Sequence, residues 1–165
     1  MAELLHACLL LDSSASMSGA PLEALKQGVN LLCGTFITRS KRPVLVALIA
    51  YESSIKSQME LADVNGFKIP ELEAAGSSGL GKALRQLVEV MPEHSPTLVY
   101  IFTDGAPTDD WEVAIVPVKA RVQKIVAVGC GPTADLTALK GKVDNIFGMR
   151  ELTPDLLFET FRALL

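Results

Sequence analysis

Apolar runs alternate along this chain with stretches whose apolar residues recur every three or four positions. Residues 4–11 form an apolar run of the kind shown by a central strand covered on both faces. Pro21 suits the first turn of a helix, and Leu22, Leu25, Val29, Leu32 and Phe36 continue at helical spacing to about Thr38. After a basic turn at 39–43, residues 44–51 read as a second strand. The polar break Glu52-Ser53-Ser54 leads into residues 55–61, where apolar and polar positions alternate. The short link and the alternation predict an antiparallel hairpin with its second arm at a sheet edge.

Residues 62–75 show no clear period, and Gly76-Ser77-Ser78-Gly79-Leu80-Gly81 then opens a helix. Its apolar face carries Leu80, Ala83, Leu84, Leu87, Val88 and Met91. Residues 92–96 break it, with His94 in a Pro-flanked loop, and 97–103 read as a buried strand ending at Asp104-Gly105. A helix is expected from Trp111 to Val118 or beyond, despite Pro117, followed by a strand at 122–128. A short helix at 134–140, a strand near 145–149 and a helix at 154–165 complete the pattern. This alternation predicts one domain, residues 1–165, with an α/β fold: three α/β/α layers, a mostly parallel six-stranded sheet and one antiparallel edge strand. Such sheets bind ligands beyond the carboxyl ends of their strands, where strand order reverses. Asp12 and Asp104 adjoin there if the first strand is central.

Composition narrows the function classes. At 165 residues and 49% hydrophobic, the chain is too apolar for disorder and long enough to bury a core. The net charge is −4 and the basic residues are scattered, which excludes the basic stripe of a nucleic-acid binder. Three cysteines without C-x-x-C spacing read as buried free thiols in a reducing compartment. His6 and His94 are too few and too far apart for a usual zinc site. The first apolar run holds Glu3 and His6 and lacks a basic start, so it reads as a strand and not a signal peptide. No run approaches the ~20 residues needed to span a bilayer. The expectation is a cytoplasmic chain without membrane insertion.

Candidate chemistry begins where the first strand ends. Asp12, Ser14 and Ser16 form the pattern D-x-S-x-S, one carboxylate and two hydroxyls at a strand mouth. An incomplete shell of hard oxygens, to be filled by water and an outside ligand, suits a divalent cation such as Mg²⁺. Asp and Ser are also favoured in turns and at helix N-caps, so this stretch alone leaves both readings open. Matching oxygens at other strand-to-helix junctions separate them: Ser77 and Ser78 in one loop, and Asp104 in Ile-Phe-Thr-Asp-Gly-Ala-Pro-Thr-Asp-Asp-Trp.

With these residues together, the chain resembles the von Willebrand factor type A family over essentially its full length. That family carries a metal-ion-dependent adhesion site built from D-x-S-x-S, a threonine of a later loop and an aspartate in a T/S-D-G turn. The resemblance implies a metal set of Asp12, Ser14, Ser16, Ser78 and Asp104. It further implies Mg²⁺ as the cation, with Mn²⁺ or Ca²⁺ as substitutes in vitro, and a protein partner supplying an acidic residue to the metal. Ser78 departs from the family's threonine: it keeps a ligating hydroxyl but loses the methyl that stiffens χ1. Ser77 is the alternative donor. Thr-Asp-Gly-Ala-Pro-Thr-Asp-Asp-Trp and Gly-Leu-Gly-Lys-Ala-Leu are similar to stretches of bacterial TerY-like members, associated with tellurite resistance, which implies a stress-response assembly. The cysteine-rich C-terminal segment of some of those relatives is not found here.

Two further readings compete with this one. Gly76-Ser-Ser-Gly-Leu-Gly-Lys82-Ala83 approaches the phosphate-cradling P-loop, but Ala83 stands where a hydroxyl is required and no strand is expected before it. A hydrolase or phosphatase lacks a second acid two residues after Asp12, a G-x-S-x-G elbow and a histidine to activate serine. The balance is a binding module and not an enzyme. At the rim, Asp109 and Asp110 are expected to cap the helix starting near Trp111, with added negative charge beside the metal as the other role. Trp111 is either a core residue or a partner anchor, and Ser77, Asp109, Asp110 and Trp111 together make the candidate partner-binding rim.

Overall fold

The computed structural model describes residues 4–93, 95–105 and 107–165. His94, expected in a loop, lies outside the described residues. The elements follow the expected order: β1 (Leu5–Asp12), α1 (Ala20–Arg39), β2 (Val44–Tyr51), β3 (Ile55–Asp63), α2 (Leu80–Val90), β4 (Thr97–Thr103), α3 (Trp111–Arg121), β5 (Lys124–Gly129), β6 (Asn145–Gly148) and α4 (Pro154–Phe161). One six-stranded sheet runs β3-β2-β1-β4-β5-β6, with every pair parallel except β2 with β3. The antiparallel edge is therefore where the hairpin pattern put it. β3 alternates half-buried and exposed residues, as one covered face requires.

Side-chain alternation along β1 divides the core. Leu5, Ala7, Leu9 and Leu11 pack on one face with Leu25, Val29, Leu32 and Phe36 of α1 and Leu157 and Phe161 of α4. Cys8 and Leu10 pack on the other with Leu80, Leu84 and Leu87 of α2 and Trp111, Ile115 and Val118 of α3. All eight residues of β1 are buried, which explains why its sequence is apolar at both parities.

Two expectations need correction. Residues 134–140 do not form a helix: only a 3-10 turn at Thr137–Leu139 occurs, and ahead of it the Asp135 carboxylate accepts from the N–H and hydroxyl of Thr137, a local side-chain turn that competes with helix. The last helix ends at Phe161 and tightens into a 3-10 turn at Arg162–Leu164. Pro117 sits inside α3 without ending it. All three cysteines are free and buried. Among the described residues, no helix is long and apolar enough to cross a membrane.

His6, near the start of β1, is 5% exposed, and among the described residues its Nδ1 has no hydrogen-bond partner. Burial holds its pKa below the usual 6.5. The folded state thus keeps His6 neutral, and as pH falls below 6.5 the unfolded chain takes the proton first. Stability is complete above that point and declines until the folded-state histidine protonates. The shifted carboxylates, Asp63, Asp110 and Asp135, lie below 3.8 and do not contribute in this window. Urea denaturation from about pH 8 to about pH 5 should show this loss, and His6→Gln should flatten it. An equal slope in both proteins would exclude His6 as its source.

Candidate metal centre

The sheet order reverses at β1. The chain leaves β1 toward β2 on one side and returns to β4 on the other, so the loops after β1 and β4 diverge and leave a crevice at their carboxyl ends. Asp12 closes β1, and Thr103 with Asp104 closes β4. After α1 and the β2–β3 hairpin, the long segment before α2 crosses back to the same end. There the Ala15 N–H donates to Gly76 O and the Ala75 N–H to Ser13 O.

Five side chains singled out in the sequence are brought together by a chain of oxygen contacts. Asp12 has no exposed surface. Its Oδ1 accepts the Ser14 N–H at 2.9 Å, and its Oδ2 accepts the Ser78 hydroxyl at 3.1 Å. Ser14 Oγ lies 3.4 Å from Ser16 Oγ, and Ser16 Oγ donates to Asp104 Oδ1 at 3.1 Å. A donor not foreseen from the sequence completes the set: Thr103 Oγ1 donates to Asp12 Oδ2 at 2.6 Å. The T of the T-D-G turn is the trace it leaves in the sequence. Ser14 and Ser78 are buried, Asp104 is partly exposed and Ser16 is exposed, so the cluster opens to solvent on the Ser16–Asp104 side.

The loop carrying Ser78 is clamped from two directions. The Gly79 N–H donates to Glu52 O at 2.7 Å, and Thr108 donates to Ser78 O through both its N–H and its hydroxyl. A Cβ on Gly79 would meet Glu52 O at 2.5 Å, and one on Gly81 would meet the Asp109 carboxylate at 2.9 Å, so both glycines answer to close approach. Ser77 is exposed, and Ser78 is the serine turned toward Asp12.

The rim residues behave differently from expectation. Asp109 does not cap α3; its carboxylate reaches across to accept the N–H groups of Gly81 and Lys82 at the start of α2, at 2.9 and 3.2 Å. Asp110 stands at the N-cap position of α3 without a side-chain cap bond and pairs instead with Arg85. A cap can only be recognised from sequence when it is local, and this one spans 28 residues. Trp111 is 5% exposed and packs in the α2/α3 core, which leaves no indole surface for a partner. Thr-Asp-Asp-Trp is thus a clamp that ties β4, α3 and the Ser78 loop together.

The donor set suits a hard divalent cation. Adjacent ligands of an octahedral ion with Mg²⁺–O bonds near 2.1 Å stand about 3.0 Å apart, and the Ser14–Ser16 and Ser16–Asp104 separations of 3.4 and 3.1 Å lie close to that. Among the described residues no group of three His, Cys, Asp or Glu gathers, which disfavours a soft or imidazole-rich site but not one made of hydroxyls and two acids. The local field is negative: burial first and then the Asp12 and Asp104 charges push the Cys130 thiol up to about 12. Tyr51 is raised well above the usual phenol range by burial and then by Asp12. Lys82, the P-loop-like lysine, donates to Ser53 O at 2.6 Å, and no strand precedes residues 76–82.

The fold and site define a three-layer α/β domain with an oxygen-lined crevice at its switch point. The family model described as von Willebrand factor type A domain matches residues 8–152, and the chain belongs to that family. No curated protein matches the sequence. Among solved structures, a von Willebrand factor type A protein from Catenulispora acidiphila is 17% identical with a TM-score of 0.66, covering 99% of this chain and 42% of that one. Proximal thread matrix protein 1 of the mussel byssus, with zinc in its MIDAS motif, is 16% identical with a TM-score of 0.68, covering 99% and 46%. The PilB minor pilin of Streptococcus sanguinis is 12% identical at the same TM-score, covering 99% and 61%. At these identities the likeness shows the fold. The chain spans less than half the length of the first two proteins.

Asp109→Ala should therefore destabilise the protein by about 1–2 kcal/mol through α2, the usual cost of a lost helix cap. Asp110→Ala, which removes one exposed ion pair, should cost clearly less. Urea denaturation measures both, and amide exchange at Gly81 and Lys82 should rise only in the first variant. Equal costs would contradict the assignment of Asp109 to α2.

Proposed function

We propose that this domain recognises a protein partner through a divalent cation held by Asp12, Ser14, Ser16, Ser78 and Asp104, with Asp104 acting directly or through water. Mg²⁺ is the cation in cells, and Mn²⁺ or Ca²⁺ substitutes in vitro. A carboxylate of the partner completes the shell. The observation that carries this reading is the contact of Ser16 with Asp104, which joins two motifs 88 residues apart into one solvent-facing set of oxygens. The zinc-occupied MIDAS motif of the mussel byssus protein supports a divalent ion in this class of site. The module acts by binding and not by catalysis: Asp12 is already held by three donors, and no histidine stands beside the serines among the described residues. The T-D-G-A-P-T-D-D-W and G-L-G-K-A-L stretches favour a role in a cytoplasmic stress-response assembly of the TerY type.

Titration calorimetry with Mg²⁺ and Mn²⁺ should show one site that Asp12→Ala abolishes, and capture of partners from the native host should fail in chelator. No cation binding even with a carboxylate peptide present would refute the reading. The neutral serines leave the ion with net positive charge, which is its appetite for an outside acid. Ser14→Asp should therefore tighten cation binding yet weaken the partner. If both affinities rise together, the ion is structural and not a bridge.

A further inference from the structure

Two tyrosines are fully buried, and their hydroxyls are treated differently. Tyr100 Oη shares a 2.6 Å hydrogen bond with Thr160 Oγ1. Tyr51 Oη, equally buried, has no hydrogen-bond partner among the described residues. Buried hydroxyls are nearly always paired, so an orphan beside a candidate site has a local cause.

The position of Tyr51 supplies that cause. It ends β2 directly beside Asp12, and its ring belongs to the α2/α3 core with Leu10 and Ile101. By strand alternation Asp12 and Thr103 project from that same face, so the last residues of three adjacent strands stand side by side. Ser78 and Thr103 both donate to Asp12 Oδ2, so the buried phenol of Tyr51 shares its face of the sheet with the ligand cluster.

The valences show which oxygen it serves. A serine hydroxyl has one proton and two lone pairs. The Ser78 proton goes to Asp12 Oδ2, and one lone pair faces the cation in the reading above, which leaves one acceptor position. Thr103 is already stiffened by its β-branch, its 2.6 Å bond to Asp12 and its 3.4 Å contact from the Gly105 N–H. Ser78 has no branch and sits on a loop. We propose that Tyr51 is a positioning residue for Ser78: its O–H donates to Ser78 Oγ when that oxygen turns to the cation, and so holds the serine in one rotamer. This rests on the metal-site reading.

The test is Mn²⁺ titration calorimetry on the full chain, with the melting temperature measured without metal. Tyr51→Phe keeps the ring and should weaken Mn²⁺ about tenfold, the low end for lost outer-shell support, with the metal-free melting temperature unchanged or raised. Adding Ser78→Thr to that variant should recover most of the loss, because the methyl restores the χ1 restraint, while Ser78→Thr alone changes little. Unchanged affinity in Tyr51→Phe, beside Ser78→Ala that abolishes binding, overturns the proposal and leaves the metal site standing. A loss that Ser78→Thr fails to rescue assigns Tyr51 to packing and overturns it too. No Mn²⁺ binding by the unmutated chain removes the site and the proposal together.

Discussion

A carboxylate with no exposed surface ends the central strand, and the rest of the site is arranged around that charge. Asp12 accepts three hydrogen bonds, from the Ser14 N–H and from the hydroxyls of Ser78 and Thr103. All three donors are neutral, and among the described residues no lysine, arginine or histidine forms an ion pair with it. Hydrogen bonds to a charged group contribute roughly 1.5–3 kcal/mol each, against a desolvation penalty of several kcal/mol for a buried ion. Those bonds keep the carboxylate in place, and burial first and then its charge raise the Cys130 thiol and the Tyr51 phenol. Asp12 also orients the hydroxyls of Ser78 and Thr103, which donate to the same carboxylate oxygen.

Several acids around the crevice are engaged within the chain. Asp109 is taken up by the backbone of α2, Asp110 by Arg85, and Oε1 of Glu52 by Ser53 and Lys56. Asp104, partly exposed, stays at the open side beside Ser16. The rim acids Asp109 and Asp110 are thus engaged within the chain, and the solvent-facing side of the cluster is left to Ser16 and Asp104. The Thr-Asp-Asp-Trp stretch serves this arrangement by clamping the Ser78 loop.

Much of the fold was legible because each element wrote a distinct period. β1 is apolar at both parities, as a doubly covered strand must be, and β3 alternates because one of its faces is open. The bounds of β2 and β4 agree with the apolar runs at 44–51 and 97–103. The misread helix at 134–140 shows the converse: an apolar count over a few residues cannot outweigh a local Asp–Thr turn. In the site, Asp12, Ser14, Ser16 and Asp104 were legible as motifs, whereas the reach of Asp109 to α2, the bond from Thr103 and the orphan hydroxyl of Tyr51 were not. Those three depend on which strands lie side by side, and neighbourhood across a sheet is set by topology that no local period encodes.

Rigidity is the last requirement, and the backbone provides it. Ligands carried on three separate loops would ordinarily lose their geometry to loop entropy. Here the loops bond to one another: Ala15 to Gly76, Ala75 to Ser13, Gly79 to Glu52, Thr108 to Ser78 and Asp135 to Asp104. Each bond crosses between segments far apart in sequence, so the loops form a lattice on the end of the sheet. An ion such as Mg²⁺ demands near-ideal octahedral geometry and sheds its water reluctantly, which favours a stiff, partial shell over a flexible complete one. The same lattice leaves the Ser16–Asp104 side as the one on which the oxygen cluster meets solvent, so the direction in which the crevice opens follows from the loop-to-loop bonding.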